Sequence, residues 1–160
     1  MYELRCQMLA PVSIQEAFEL FENPYNLARI TPPWLNFRVT SKDKVEMRKD
    51  ARIEYKIKWM QLPIYWRTRI TEYDPPHSFV DEQEAGPYIL WRHRHSFTEV
   101  DGGTLVDDAV RYQLTLGPLG TAAHRIMVAR QLIHIFEFRQ ESLKAIWGGG
   151  ELTQPVISVL

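Results

Sequence analysis

The sequence predicts an α+β fold in which a curved antiparallel sheet wraps around a long C-terminal helix. Three observations predict it. Between Ile53 and Leu114 apolar residues recur at every second position, the mark of half-buried antiparallel strands. Two short helix signals precede that region. After "GPLG" (117–120) the apolar period lengthens to that of a helix and runs to Trp147, where Gly148-Gly149-Gly150 stops it. Strands grouped together and then a helix belong to the α+β class.

Each element follows in order. "YELRCQML" (2–9), bounded by Ala10-Pro11, reads as a first strand. "SIQEAFELFENP" opens with Ser13 and carries Glu16 three residues later, a capping box. Its apolar stripe is Ile14, Ala17, Phe18 and Phe21. Asn23 then caps and Pro24 opens a short second helix, "YNLARI", which Pro32 and Pro33 end. In the strand "ARIEYKIKWM", Ile53, Tyr55, Ile57 and Trp59 share one face. In "IYWRTRITEY" it is Ile64, Trp66, Thr68 and Ile70. "SFVDEQ" is a short strand after Asp74-Pro75-Pro76. Residues 87–98, the turn "EVDGG" and residues 104–114 form a hairpin. The final helix is expected over residues 119–147, on a pattern of Ala122, Ala123, Ile126, Met127, Arg130, Ile133, Phe136, Gln140, Leu143 and Trp147. The tail from Glu151 has no clear pattern.

Composition narrows the function classes. The chain has 160 residues, a length that predicts one domain over 1–160. Lys and Arg number 19 against 20 Asp and Glu, so the basic excess of a nucleic-acid-binding surface is missing. No apolar run reaches the roughly 18–20 residues that span a bilayer. The single Cys6 cannot form an internal disulfide, and the N-terminus has no secretory pattern, so a cytoplasmic protein is expected. A homo-oligomer is left open.

Several stretches resemble the START-like, or SRPBCC, superfamily, which includes polyketide cyclases and dehydrases. They are "ITPPWLNFRV" (30–39), "IEYKIKWMQLPIYWRTRI" (53–70), "FVDEQEAGPYILWRHRHSF" (79–97), "DDAVRYQLTLGPLG" (107–120) and "IFEFR" (135–139). Ala51 stands where the family pattern has Gly, and Thr115 where it has Pro. The resemblance is nearest to bacterial ligand-binding members of unassigned function. It implies a helix-grip fold with an internal cavity. It does not imply a reaction, because a fold hosts many functions.

The segment "GPYILWRHRHSF" (86–97) places Trp91, His93, His95 and Phe97 on one strand face and Arg92, Arg94 and Ser96 on the other. The hairpin after it sets Asp108 beside His93 or His95 on the same face. Three readings of the His residues follow. They form a cavity His–carboxylate pair that moves a proton, with His93, His95 and Asp108 as the catalytic candidates. They form a buried pair that is hydrogen-bonded for structural reasons or orients a ligand. Or they chelate a metal with Asp81 or Asp108 as third ligand. Without Cys spacing or an H-E-x-x-H motif, no metal or cofactor is assigned. Arg92 and Arg94 are expected to pair outside with residues such as Glu82 or Asp107.

Tyr55, Trp59, Trp66, Asp81, Trp91 and Tyr112 share the expected inward face. With His93 and, from the helix, Ile133 and Phe136, they are the candidate ligand-binding residues. Apolar walls with a few convergent polar groups describe a small-molecule cavity. "ITPPW" reads either as a loop at the cavity mouth or as a helix stop. "GPLG" lacks the Lys and Ser/Thr of a phosphate loop and reads as a turn. His124 and His134 are expected at the surface or rim of the helix. Cys6 and the serines lack nucleophile motifs. Three functions remain open: binding of a small apolar or aromatic ligand such as a lipid, a quinone or a polyketide-like compound; a cyclase- or dehydratase-type enzyme; or an interaction protein with a vestigial cavity.

Overall fold

The computed structural model describes residues 1–59, 62–114 and 127–160. "GPLG", His124 and the expected helical stretch up to residue 126 lie outside the described residues. Strand β1 (Tyr2–Ala10) leads into helix α1 (Ile14–Glu22). The Ser13 hydroxyl accepts from the Glu16 amide at 3.2 Å, so the N-terminal cap forms as its residues dictate. The expected second helix is a 3-10 helix, Pro24–Arg29, whose first turn is capped by Asn23. A second such turn, Pro33–Leu35, follows.

The sheet comes next: β2 (Arg38–Val39), β3 (Arg52–Trp59), β4 (Leu62–Asp74), β5 (Ser78–Ala85), β6 (Tyr88–Val100) and β7 (Gly103–Leu114). Helix α2 spans Ala129–Trp147 and ends at Gly148, whose φ of 73° is the left-handed C-terminal cap expected of glycine. The tail is not patternless. It forms β8 (Glu151–Leu152) and β9 (Val156–Val159), both antiparallel to β1. Short exposed strands of this kind bury too little for alternation to appear in their sequence. The strand order is β2-β3-β4-β5-β6-β7-β1-β8, with β9 also on β1.

Register is what builds the site. Asp101-Gly102 is a two-residue hairpin turn joining Val100 to Gly103. A Cβ at Gly103 would stand 2.0 Å from the Ala10 carbonyl oxygen, so the close approach of β1 requires glycine there. Counting back from this turn sets His95 opposite Asp108 and Trp91 opposite Tyr112. On the other side, Asp81 of β5 pairs with His93 of β6. Register shifts in β4, between Arg67 and Thr68 and between Ile70 and Glu72, mark bulges, which bend a strand and raise its twist.

Two apolar clusters fill the concave side. One joins α1 to the sheet: Phe18 meets Phe97 edge-on at 5.4 Å between ring centres, and Phe21 meets it at 5.3 Å. The other joins the sheet to α2 through Trp66, Tyr88, Tyr112, Leu132 and Phe136.

Candidate functional site: a cavity with a buried histidine–carboxylate cluster

Between the sheet and α2 lies a cavity of about 380 Å³. Its walls are mostly apolar. Tyr55 stacks on Trp66 at 5.8 Å, and Trp66 meets Trp91 edge-on at 5.3 Å. Cross-strand pairing explains this: Tyr55 lies opposite Trp66 on β4, so their rings meet on one face.

The structure brings Tyr55, Trp59, Trp66, Asp81, Trp91, His93 and Phe136 to the cavity wall. Tyr112 and Ile133 are not among the lining residues. Tyr112 is fully buried one layer behind, stacked on Tyr2 at 5.6 Å and edge-on to Tyr88 at 6.0 Å. The cavity face of α2 is instead Leu132, Ile135, Phe136 and Arg139, an i, i+3, i+4, i+7 set. The sequence pattern puts Arg130, Ile133 and Gln140 on one stripe with Phe136, and of these Phe136 alone lines the cavity, while Met127 and Arg130 are exposed. His134 is exposed, as expected. Thr31 and Leu35 of the "ITPPW" region also line the cavity, so this segment forms part of its wall.

At one end four side chains converge. His93 Nε2 lies 2.9 Å from Asp108 Oδ1, and His95 Nε2 lies 3.1 Å from Asp81 Oδ2. An ionised carboxylate only accepts, so both imidazoles donate through Nε2. Asp81 Oδ1 also accepts from the Thr68 hydroxyl at 3.2 Å. His95 Nδ1 stands 2.8 Å from Asp108 Oδ1 but outside hydrogen-bond geometry, so that contact is electrostatic. The residue directly opposite Asp108 is thus His95, while its hydrogen bond comes from the diagonal His93. Arg139 Nη1 stands 3.9 Å from Asp108 Oδ2. Its guanidinium carbon sits 4.8 Å over the Phe136 ring, a cation–π contact.

The burial of these groups makes their protonation states a question of balance. Burial pushes His95 down, yet Asp108 and then Asp81 outweigh it and hold its pKa above the ordinary histidine value. Burial and the neighbouring His95 push His93 down, and the Asp108 hydrogen bond does not compensate. Burial would raise Asp108, but His95 and His93 hold it well below the usual carboxylate range. Asp81 is lowered too, its burial outweighed chiefly by the His95 hydrogen bond. The resulting arrangement is two carboxylates and the Arg139 guanidinium around a His95 ring biased toward its charged form and a His93 ring biased toward its neutral form. Neutral His93, donating through Nε2, keeps its lone pair on Nδ1, and the residue borders the cavity.

Among the described residues, Asp81, His93 and His95 could hold a metal ion, with one ligand atom from each within 4.8 Å of the others. Asp108 would then orient the rings from behind. The His93 and His95 ring centres are 3.7 Å apart. Two imidazoles on one zinc at Zn–N of about 2.0–2.1 Å keep their centres roughly 4.5–5 Å apart. The rings would have to open by about 1 Å to share an ion.

Cys6 is buried beneath this cluster. Burial, and then the charge of Asp108, push its thiol up to about 12, so it is no thiolate nucleophile. On the outer face Arg92 bonds Glu82 and Glu72, and Arg94 bonds Glu72. Glu82 was expected as such a partner; Glu72 takes the place expected of Asp107. Among the described residues no helix is long and apolar enough to cross a membrane.

Known proteins with similar chains share this frame. Protein Ms6760 from Mycobacterium smegmatis superposes with a TM-score of 0.64 at 18% identity, covering 90% of this chain and 92% of that one. Protein TTHA0849 from Thermus thermophilus gives 0.65 at 17% identity, over 90% and 98% of the two chains. Major latex-like protein 151 from Panax ginseng gives 0.66 at 12% identity, over 91% and 96%. Identities this low speak for the fold alone, the helix-grip fold. No curated protein matches the sequence. The profile of one family matches residues 10–137, the greater part of the chain, and the chain belongs to that family: polyketide cyclase / dehydrase and lipid transport.

Proposed function

We propose that residues 1–160 form one ligand-binding domain that holds a small hydrophobic or aromatic molecule, of the lipid, quinone or polyketide-like class, in the cavity between sheet and α2. The observation that carries this reading is the cavity of about 380 Å³ walled by Tyr55, Trp66, Trp91 and Phe136. Its size lies within the roughly 300–1,000 Å³ of small-molecule sites. Ligand-binding roles go to the lining residues and not to Tyr112 or Ile133. The buried, unpaired thiol of Cys6 is in keeping with a reducing cytoplasm. The test is titration with the neutral fluorescent probe N-phenyl-1-naphthylamine. One saturable site is expected, weakened in Trp91→Ala and in Ile57→Trp, which projects bulk into the cavity. Equal binding by all three proteins refutes the reading.

The second reading is a cyclase- or dehydratase-type enzyme. The observation favouring it is His93, a neutral imidazole at the cavity wall with Asp108 on its far nitrogen, which is the arrangement of a general base. A simple 1,3-diketone in deuterated buffer tests for proton abstraction. Exchange faster than buffer alone, abolished in His93→Gln, supports catalysis; exchange at the buffer rate leaves binding only.

A further inference from the structure

Cavity-lining polar groups differ in what they lack. The carboxylates are engaged: Glu22 accepts from the Tyr73 hydroxyl at 2.8 Å, Asp81 from Thr68 and His95, and Asp108, just behind the wall, from His93. Some donors are not. Among the described residues, two that line the cavity carry buried donors without a hydrogen-bond partner: Trp66 Nε1 and Arg139 Nε and Nη1. The other partnerless buried atoms, on Arg67, Arg69, Thr71 and Asp107, belong to residues outside the cavity lining, and His95 Nδ1 faces Asp108. Leaving a buried donor unpaired costs about 1–3 kcal/mol, more for a charged group. Asp108, at 3.9 Å and already holding His93, relieves Arg139 only in part. The Arg139 guanidinium carbon lies 4.8 Å over the Phe136 ring, and a guanidinium is a permanently charged donor group suited to a carboxylate.

We infer that the ligand is an aromatic carboxylate, its ring against Trp66 and Trp91 and its carboxylate against the Arg139 guanidinium. This rests on the cavity-binding reading above and names the chemistry of the ligand's polar end. An anionic end supplies the acceptor that the Arg139 donors lack. An alcohol of the same shape leaves the charged edge with a single weak partner.

The experiment displaces N-phenyl-1-naphthylamine from the wild-type chain with 2-naphthoate and with 2-naphthalenemethanol, which differ only in the polar end. Naphthoate is expected to displace the probe at concentrations roughly ten- to a hundredfold lower, the span of a hydrogen bond to a charged group. In Arg139→Gln that ratio falls to near one, while the outward-facing Arg94→Gln keeps it. If Arg139→Gln does not fold, Arg139→Met decides, since it keeps the unbranched aliphatic stem and removes the charge. A reduced ratio supports the inference and an unchanged one overturns it. Equal displacement by acid and alcohol in the wild type, or a preference surviving in Arg139→Gln, also overturns it. If the probe itself fails to bind the wild type, cavity binding falls as well. If it binds without preferring the acid, only the aromatic carboxylate falls.

Discussion

Neighbouring residues of β6 carry charge to opposite faces of the same sheet, and the two faces treat it differently. Outside, Arg92 and Arg94 share Glu72, whose side chain is 47% exposed. Inside, His93 and Asp108 are each 6% exposed. The separations are similar, so distance does not distinguish them. Water does. It screens the outer pairs and leaves them worth little. The inner groups have only one another, so each is costly to remove. Identical chemistry on one strand thus becomes surface decoration or a cavity's polar end according to which way the pleat turns it.

Deleting an inner partner is the strongest test of this contrast. Asp108→Ala removes the carboxylate that His93 bonds and that lies against His95 and Arg139. A loss of about 3–5 kcal/mol is expected by chemical denaturation. A loss under about 1 kcal/mol would put the inner cluster on a par with the outer pairs and break the comparison. Asp108→Asn is expected to cost less, about 1.5–3 kcal/mol, because the amide keeps the shape and one hydrogen bond but not the charge.

The two histidines sharpen the comparison through pH. By NMR titration, His95 should titrate above the ordinary value of about 6.5 and His93 below it. The signs oppose. The raised value of His95 contributes stability in full below about pH 6.5, lost as pH rises through its folded value. The lowered value of His93 favours the neutral ring, so stability declines as pH falls from about 6.5 toward that folded value. In Asp108→Asn the His95 value should drop, because burial then meets less opposition. Unchanged titration of both rings in that variant would mean that Asp108 does not govern them.

The smallest effect is expected outside. Glu72→Gln removes the carboxylate shared by Arg92 and Arg94 and should cost under about 1 kcal/mol, less still at high salt. A larger, salt-independent loss would show that the outer face is not the screened surface its exposure implies.

Much of this was legible because it depends on near neighbours in sequence. Ser13 and Glu16 form their cap within one turn. Alternation separated His93 and His95 from Arg92 and Arg94, and the "EVDGG" turn brought Asp108 beside one or other histidine, with the register left to the structure. Other features were not legible. Tyr112 alternates inward as Trp91 does, but whether an inward ring borders a cavity or sits behind one depends on what packs over it. Nothing local to Arg139 signals a charge turned toward an aromatic wall. The pairing of β8 and β9 with β1 comes from long-range backbone bonds that leave little trace in so short and exposed a segment.

The sequence by itself determined the order of elements, the face each strand residue takes and the presence of two histidines and an aspartate on one side of a hairpin, since turn chemistry and a period of two act over a few residues. Only the tertiary structure decided that Asp81 completes the cluster, that His93 and not His95 donates to Asp108, and that α2 turns Leu132, Phe136 and Arg139 toward the sheet. Those choices depend on the rotation of a helix and the bend of a sheet, and both are set by packing among residues far apart in the chain.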